Sequence, residues 1–313
     1  MIDLRPIFYV VGRILIVLAI LMLAPAFIDW REGLHNGADF LQSAIITGAF
    51  GLMLSVATSN ALGLGLNARQ AYLMTAGIWG FVPLFGALPF MLGEPHLGFT
   101  DAYFESVSGI TTTGASVLTG LQDMPPGMNL WRGMLNSLGG LGIVFIAMIF
   151  LPVLRVGGMQ YFRTEGFDTF GKVLPRATDI AQQLLTVYFG LTLLAIITYR
   201  ALGMDPLSAV VNGLTTVSTG GFSNDDASFS RFSLPIQYVA ALFMFVSSLP
   251  YIRFVQALAG QVRPMWQDSQ TRAYFRWVAY AVLSVTAWRY ALGDIGLEVA
   301  FRESLFNLIS VQS

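Results

Sequence analysis

Long apolar runs separated by short polar segments dominate the pattern of positions along this chain. Seven runs hold few charges and are close to the roughly 20 residues with which a helix crosses the hydrocarbon core of a bilayer. They lie at 7–28, 40–60, 71–92, 130–154, 181–201, 235–258 and 274–293. The pattern predicts an all-α integral membrane protein that crosses the bilayer many times.

Composition agrees with the pattern. The 313 residues are 55% hydrophobic and only 11% charged, whereas soluble domains carry about 25% charged residues. No small-residue cleavage site follows the first run, which predicts a retained helix rather than a signal peptide. The chain has no cysteine, which excludes disulfides, thiol nucleophiles and thiolate metal sites.

The charges predict an orientation. If the N-terminus is cytoplasmic, the inner segments hold most of the 17 Lys and Arg residues, and the outer segments hold most of the 18 acids. Inner loops of membrane proteins carry an excess of Lys and Arg, so we predict a cytoplasmic N-terminus. The acidic outer face would concentrate cations.

A polar loop occurs twice between apolar runs. "FESVSGITTTGAS" (104–116) aligns with "VNGLTTVSTGGFS" (211–223). The alignment puts Glu105 on Asn212, Ser108 on Thr215, Thr112 on Thr219, Gly114 on Gly221 and Ser116 on Ser223. Each copy follows one apolar run and precedes another, so the repeated unit is helix, loop, helix.

The last residues resemble the start of a third copy. "FNLISVQS" (306–313) aligns with 211–218, with Asn307 on Asn212. We expect the sequence to be part of a longer protein, because a unit without its return helix would expose unpaired backbone to lipid; a genuine end is the alternative. The predicted divisions are two extra helices (1–66), a first unit (67–179), a second unit (180–272) and the start of a third (273–313).

Each loop is predicted to follow a half-helix. Thr100-Asp101 and Asp205-Pro206 are good helix starts. A helix from Thr100 to Ile110 rises about 15 Å, half of the hydrocarbon thickness. Its C-terminus would carry a partial negative charge near the membrane centre, and the extended residues that follow must line a water-filled path rather than lipid.

The residue types of the loops suit a dehydrated cation. Such an ion needs a ring of oxygen ligands, which extended backbone can supply. Glycine permits the positive φ that turns successive carbonyls toward one axis, and threonine adds a hydroxyl. We therefore predict that Gly114 and Gly221 are filter glycines. Glu105 would accept hydrogen bonds from the backbone behind the filter, as the amides Asn212 and Asn307 would in the other units; the alternative is a wet carboxylate facing the pore.

Several motifs in order carry a resemblance to a known family. With "FESVSGITTTGAS", "LGGLGIVFIAMIFLPVLRVGGMQ" and "TTVSTGGFS", the chain resembles the Trk/Ktr/HKT superfamily of potassium transporters, roughly from residue 70 to the end. The two extra helices look like the TrkH type of subunit. The resemblance implies four units around one pore, each with a filter glycine, and potassium uptake across the cytoplasmic (inner) membrane.

The resemblance also implies site residues and partners. Together with the positions beside them, the matching positions make a predicted ion-binding set of Thr111, Thr112, Thr113, Gly114, Ala115, Ser218, Thr219, Gly220, Gly221 and Phe222, with potassium at Thr112, Thr113, Thr219 and Gly220. A homodimer is implied, and so is a cytosolic ring of regulatory subunits that binds nucleotides. We expect no cofactor in this chain, potassium as substrate, membrane lipid around it, and no nucleic acid. The segment 155–179 is either an ordinary basic inner loop or the docking site of the ring.

Other functions remain as alternatives. Sodium is a possible main substrate, and a non-conducting scaffold or receptor is a further possibility. An intramembrane enzyme is disfavoured, because no histidine-rich cluster and no paired carboxylates at a shared depth appear. Passive and coupled transport both stay open, since the family places its gating elements in later units.

Overall fold

The structure, a computed structural model, describes residues 3–61, 68–153, 177–293 and 295–313; at 61, 68, 143–153 and 177–181 it describes the backbone only. Every regular element in these ranges is a helix, which confirms the predicted all-α class. The first seven helices are α1 Arg5–Leu21, α2 Leu23–Arg31, α3 Asn36–Ala57, α4 Ala68–Gly86, α5 Leu88–Leu92, α6 Phe99–Ile110 and α7 Pro126–Val153. The others are α8 Ala177–Ala201, α9 Pro206–Val217, α10 Leu234–Ser247, α11 Tyr251–Leu258, α12 Arg263–Gln267, α13 Ser269–Leu292 and α14 Leu297–Gln312.

Four stretches in the described residues are long and apolar enough to cross a membrane as single spans. They are Arg5–Arg31, Asn36–Ala57, Arg69–Leu92 and Gln182–Ala201, which confirms four of the predicted runs. The run at 130–154 also forms one helix, α7, of 28 residues. The first span combines α1 and α2, which meet at Met22.

The predicted run 235–258 is not one continuous helix, so this prediction was wrong. Its two parts, α10 and α11, meet at 89°. The break falls just before Pro250, which caps α11. Proline lacks the N–H that would continue the ladder of α10, and its ring disfavours helical geometry in the preceding residue.

The run predicted at 274–293 forms the helix α13, which begins earlier, at Ser269. The side chain of Asp268 caps it by accepting hydrogen bonds from the backbone N–H of Gln270 and Thr271, at 2.7 and 3.2 Å. By its composition, α13 is not one of the described helices that are apolar enough to span a membrane. Its sequence contains three arginines, Arg272, Arg276 and Arg289.

The helices pack around two large buried clusters. One cluster joins the helices from α1 to α7 and includes Trp131, and the other joins the later helices and includes Tyr199. In the first half α1 packs on α3, and α6 packs on α4 and α7. In the second half α9 packs on α8, and α14 packs on α10 and α13. Because α7 also packs on α9, it joins the two halves.

A buried carboxylate connects the N-terminal helices to the rest. Asp29 is 0% exposed and accepts hydrogen bonds from Asn36 Nδ2 at 2.7 Å and from the backbone N–H of Gly127 at 2.6 Å. Asn36 Oδ1 in turn accepts from the N–H of Glu94 at 3.0 Å. The start of α7 is therefore held to α2 and α3. Asp29 thus contributes nothing to the acidic outer surface predicted from the sequence.

We expect Asp29→Ala to lower the free energy of unfolding by about 2–3 kcal/mol, because the two donors would be left buried without their charged acceptor. The midpoint of thermal unfolding of the purified protein in detergent measures the effect. Glu32→Ala is the matched control, since Glu32 is exposed on the same turn of the chain. Equal midpoints for the two variants would contradict the anchoring role of Asp29.

Candidate functional site

Two short helices, α6 and α9, carry the site. Each has 12 residues, and the repeat that pairs Glu105 with Asn212 also superposes their first and last residues. As predicted, Asp205 caps α9: its side chain accepts a hydrogen bond from the N–H of Ser208 at 2.9 Å. The capping prediction for Thr100 was wrong, because α6 begins at Phe99 after Gly98, which makes no side-chain cap.

Both helices end in the same backbone motif. The N–H two residues past the cap donates to the carbonyl five residues earlier: Thr113 to Ser108 at 2.9 Å, and Gly220 to Thr215 at 3.0 Å. This is the Schellman arrangement, in which the residue after the cap adopts a left-handed conformation. Those residues are Thr112 (φ 56°) and Thr219 (φ 55°).

Threonine is an unusual residue for this conformation. A β-branched side chain at positive φ is sterically disfavoured, and glycine is the common choice at this position of the motif. The same strain in both copies costs on the order of 1–3 kcal/mol at each, and such strain concentrates at functional sites. Two residues later Gly114 (φ 74°) and Gly221 (φ 80°) also have positive φ, which is the geometry predicted for filter glycines. We call residues 111–117 loop 1 and residues 218–224 loop 2.

The two loops face one cavity of about 470 Å³. Its lining includes Thr112, Thr113, Gly114, Thr219, Gly220, Gly221 and Phe222, with further residues of α9, α10 and α14. The loops also touch, because a Cβ added to Gly114 would collide with the backbone carbonyl of Gly220. Seven of the ten predicted ion-binding residues thus lie around one space.

Thr111, Ala115 and Ser218 are not among the lining residues of that cavity. The Thr111 hydroxyl donates to the Val107 carbonyl at 2.8 Å, and the Ser218 hydroxyl donates to the Thr215 carbonyl at 3.2 Å. Both side chains therefore complete the ends of their helices.

Glu105 lies behind loop 1. It is 0% exposed and accepts hydrogen bonds from the Ser116 hydroxyl at 2.9 and 3.1 Å and from the N–H of Val117 at 3.1 Å. The carboxylate is therefore bound to the segment that follows Gly114. It is not a wet group in the cavity.

Arg132 on α7 pairs with Glu105, although the sequence pattern did not predict this role for it. Its side chain is 1% exposed, and Nε donates to Glu105 Oε1 at 2.9 Å. The other nitrogens donate to the Ser116 hydroxyl at 3.1 Å and to the Ser223 carbonyl at 2.7 Å. The guanidinium also lies 4.3 Å from the centre of the Phe222 ring. The available signal was a charge inside the apolar run 130–154, since ionisable groups at membrane depth are usually functional.

Loop 2 has a different support from loop 1. Asn212, the counterpart of Glu105, donates from Nδ2 to Asn224 Oδ1 at 3.0 Å and to the Ser208 carbonyl at 2.9 Å. Asn224 donates in turn to the Ser208 hydroxyl at 2.7 Å. Asn212 thus contacts a side chain of loop 2, whereas Glu105 contacts a backbone N–H. Asn307 is exposed on α14, and no loop follows it within the chain, so its supporting role stays a prediction.

One face of α7 contacts both loops. In the amide orientation that satisfies its neighbours, Asn136 donates to the Gly109 carbonyl at 2.8 Å and accepts from the N–H of Phe222 at 3.2 Å. One turn later, a Cβ on Gly139 would strike the Ile110 carbonyl at the end of α6, and a Cβ on Gly140 would lie 2.9 Å from Ser218 Cβ at the end of α9. The two glycines let α7 approach the ends of both half-helices.

A further link joins the segments that follow loop 1 and loop 2. Asp226 accepts hydrogen bonds from the N–H of Gly120 at 2.7 Å and from that of Leu121 at 3.1 Å. These backbone donors hold the pKa of Asp226 below its usual value. Asp226 is therefore ionised at neutral pH, and its carboxylate binds backbone of the first unit.

The chemistry of the cavity is that of neutral oxygens. In the described residues no group of three or more His, Cys, Asp and Glu side chains could hold a metal ion. Carboxylate-rich sites suit divalent cations, whereas this cavity offers backbone and threonine oxygens near two helix C-termini. Each terminus contributes a partial negative charge. The arrangement suits a weakly held monovalent cation.

A family model described as TrkH, cation transport protein, matches residues 36–287. The chain is 37% identical over 309 residues to the Trk system potassium uptake protein TrkI of Halomonas elongata, covering 98% of this chain and 62% of that protein. It is 32% identical over 316 residues to TrkH of Escherichia coli K12, covering 98% of this chain and 65% of that protein.

A solved structure has the same fold. The crystal structure of the potassium transporter TrkH from Vibrio parahaemolyticus matches with a TM-score of 0.89 and 29% identity, covering 99% of this chain and 64% of that one. The chain thus spans a little under two thirds of the length of the relatives that it matches.

We expect Gly139→Ala to destabilise the protein by about 1–3 kcal/mol, because the added methyl group meets backbone that has to shift. Gly142→Ala is the matched control, since it lies one turn further along α7 and a Cβ there meets nothing within 4 Å. The midpoint of thermal unfolding should fall for the first variant and stay level or rise for the second, because alanine is the better helix former. A level midpoint for Gly139→Ala would contradict the close approach of α7 to α6.

Proposed function

This chain belongs to the TrkH family of cation transport proteins, and we propose that it forms part of a pathway for potassium uptake across the cytoplasmic membrane. One observation carries the proposal: two half-helices with matching ends bring loop 1 and loop 2, which share the sequence pattern T-x-G, to a single cavity. The names of the relatives support it, since TrkI of H. elongata and TrkH of E. coli are potassium uptake proteins.

Neutral oxygens at the cavity support an alkali cation as the substrate. Potassium filters replace the hydration shell of the ion by carbonyl oxygens. Thr112, Thr113, Thr219 and Gly220, which line the cavity, are the residues that we assign to potassium. Glycine at both filter positions, Gly114 and Gly221, favours potassium over sodium, which is the alternative substrate.

The membrane arrangement and the partners belong to the same proposal. We assign the N-terminus to the cytoplasm, from the distribution of Lys and Arg. The relatives' names place them in a Trk system, which supports an assembly of more than one subunit. We extend this to a homodimer and to a cytosolic ring of regulatory subunits that binds nucleotides. The segment 155–179, either an ordinary basic inner loop or the docking site of that ring, lies largely outside the described residues.

We expect filter substitutions to reduce uptake in a fixed order. Gly114→Ala places a non-glycine residue at φ 74° and also drives its Cβ into the Gly220 carbonyl, so it should abolish potassium uptake. Gly221→Ala has open space and only the conformational cost of about 1–2 kcal/mol, so uptake should fall about tenfold. Growth of potassium-uptake-deficient cells on limiting potassium, together with rubidium tracer uptake, measures both.

Gly260→Ala is the control for conformational strain alone. Gly260 has φ 83° with open space around it, and it follows α11, away from the lining of the cavity. Uptake by this variant should stay normal. If the unaltered protein reaches the membrane and does not rescue growth, the proposal fails and a non-conducting scaffold takes its place. If sodium outcompetes potassium for rubidium uptake, sodium is the main substrate.

A further inference from the structure

One buried cation contacts both loops. Arg132 lies on α7, is 1% exposed, and donates hydrogen bonds to three different oxygen atoms. We propose that Arg132 is a positioning residue that sets the potassium-to-sodium selectivity by fixing the separation of loop 1 and loop 2. The proposal rests on the proposed function, because it concerns the discrimination that the same filter makes.

The contacts of the guanidinium divide between the two loops. Toward loop 1, Nε donates to Glu105 Oε1 at 2.9 Å and one terminal nitrogen donates to the Ser116 hydroxyl at 3.1 Å. Toward loop 2, the other terminal nitrogen donates to the Ser223 carbonyl at 2.7 Å, and the Phe222 ring lies 4.3 Å away. Ser116 and Ser223 occupy the same place in the repeat, two residues after the filter glycine. A planar, rigid group therefore spans equivalent points of the two loops.

Only arginine among the side chains fits this set of contacts. Its nitrogens diverge in a fixed fork, whereas lysine has a single nitrogen on a flexible stem. Burial of such a charge is costly even when it is paired, and replacement of a buried ion pair by apolar residues is often neutral or stabilising. A gain in stability is thus a weak explanation for the buried Glu105–Arg132 pair. A role in fixing the positions of the two loops explains it better.

The arginine that bridges loop 1 and loop 2 has no counterpart on α10, the equivalent helix of the second unit. The helix α10 begins at Leu234 as α7 begins at Pro126, and the residue of α10 that matches Arg132 is Ala240, beside Val239. Neither side chain can bridge polar groups. Two further contacts lie on the same side as Arg132: Asn136 joins the end of α6 to loop 2, and Asp226 joins the segments that follow the two loops.

Loop separation controls selectivity because a carbonyl site discriminates between potassium and sodium by the spacing and the number of its ligands. A looser pair of loops can close around the smaller sodium ion. Loss of the bridge should therefore change selectivity more than the rate of potassium uptake. A residue needed only for folding would change the amount of protein and leave its selectivity unaltered.

The test compares Arg132→Lys with Ser116→Ala and with the control Arg13→Lys. Lysine keeps the charge and loses the fork, while alanine at Ser116 removes one acceptor and adds no bulk. Arg13 is an exposed arginine on α1, so its replacement should leave uptake and selectivity as they are. For each variant in cells, rubidium uptake is competed by potassium and by sodium, and the ratio of the two half-inhibiting concentrations gives the selectivity.

We expect this selectivity to fall about tenfold in Arg132→Lys, as for the loss of one charge-assisted hydrogen bond, and by a smaller factor in Ser116→Ala. Unchanged selectivity in Arg132→Lys overturns the proposal. If that variant does not assemble, Ser116→Ala decides alone, and unchanged selectivity there overturns the proposal as well. Absence of rubidium uptake by the unaltered protein is a different result, which refutes the proposed function itself.

Discussion

Extended backbone at membrane depth has to be hydrogen-bonded within the protein or line a water-filled cavity, and this constraint shapes the rest of the molecule. Each loop leaves its half-helix with carbonyl and N–H groups that helix geometry no longer pairs. For loop 2 the partners come from α7: Arg132 donates to the Ser223 carbonyl, and Asn136 accepts from the N–H of Phe222. Glu105 on α6 supplies the acceptor for Val117. Polar side chains of α6 and α7 thus hold the two non-helical segments, and two adjacent glycines of α7 let that helix approach the ends of both half-helices.

The two units are alike where they face the cavity and different behind it. The left-handed Thr112 and Thr219 and the glycines two residues later are nearly identical in backbone geometry. Behind them, a carboxylate holds loop 1 and a pair of asparagines holds loop 2, while Arg132 contacts both loops. The cavity surface is therefore repeated while its support is not.

Much of this arrangement was predictable from local pattern. The repeat located both half-helices, and glycine in T-x-G predicted positive φ at Gly114 and Gly221. Local pattern did not predict the features that depend on a single residue or on a residue far away in the sequence. Pro250 breaks a run that hydropathy alone describes as one helix, and Arg132 finds its partners 27 and 91 residues away. Asn212 was predicted as a support of loop 2, but Asn136 was missed, since it precedes that loop in the sequence and reaches it only through tertiary packing.

The dependence of both loops on α7 has a consequence for biosynthesis. Arg132 enters the membrane with the first unit, but its acceptor on loop 2, the Ser223 carbonyl, is 91 residues further along. At about 5–20 residues per second, translation needs roughly 5 to 20 s to deliver that segment. During this interval a charged side chain is paired on one side only, by Glu105. The contact of Arg132 with loop 2 therefore forms only after the second unit has been made, so the two units complete this part of the fold together.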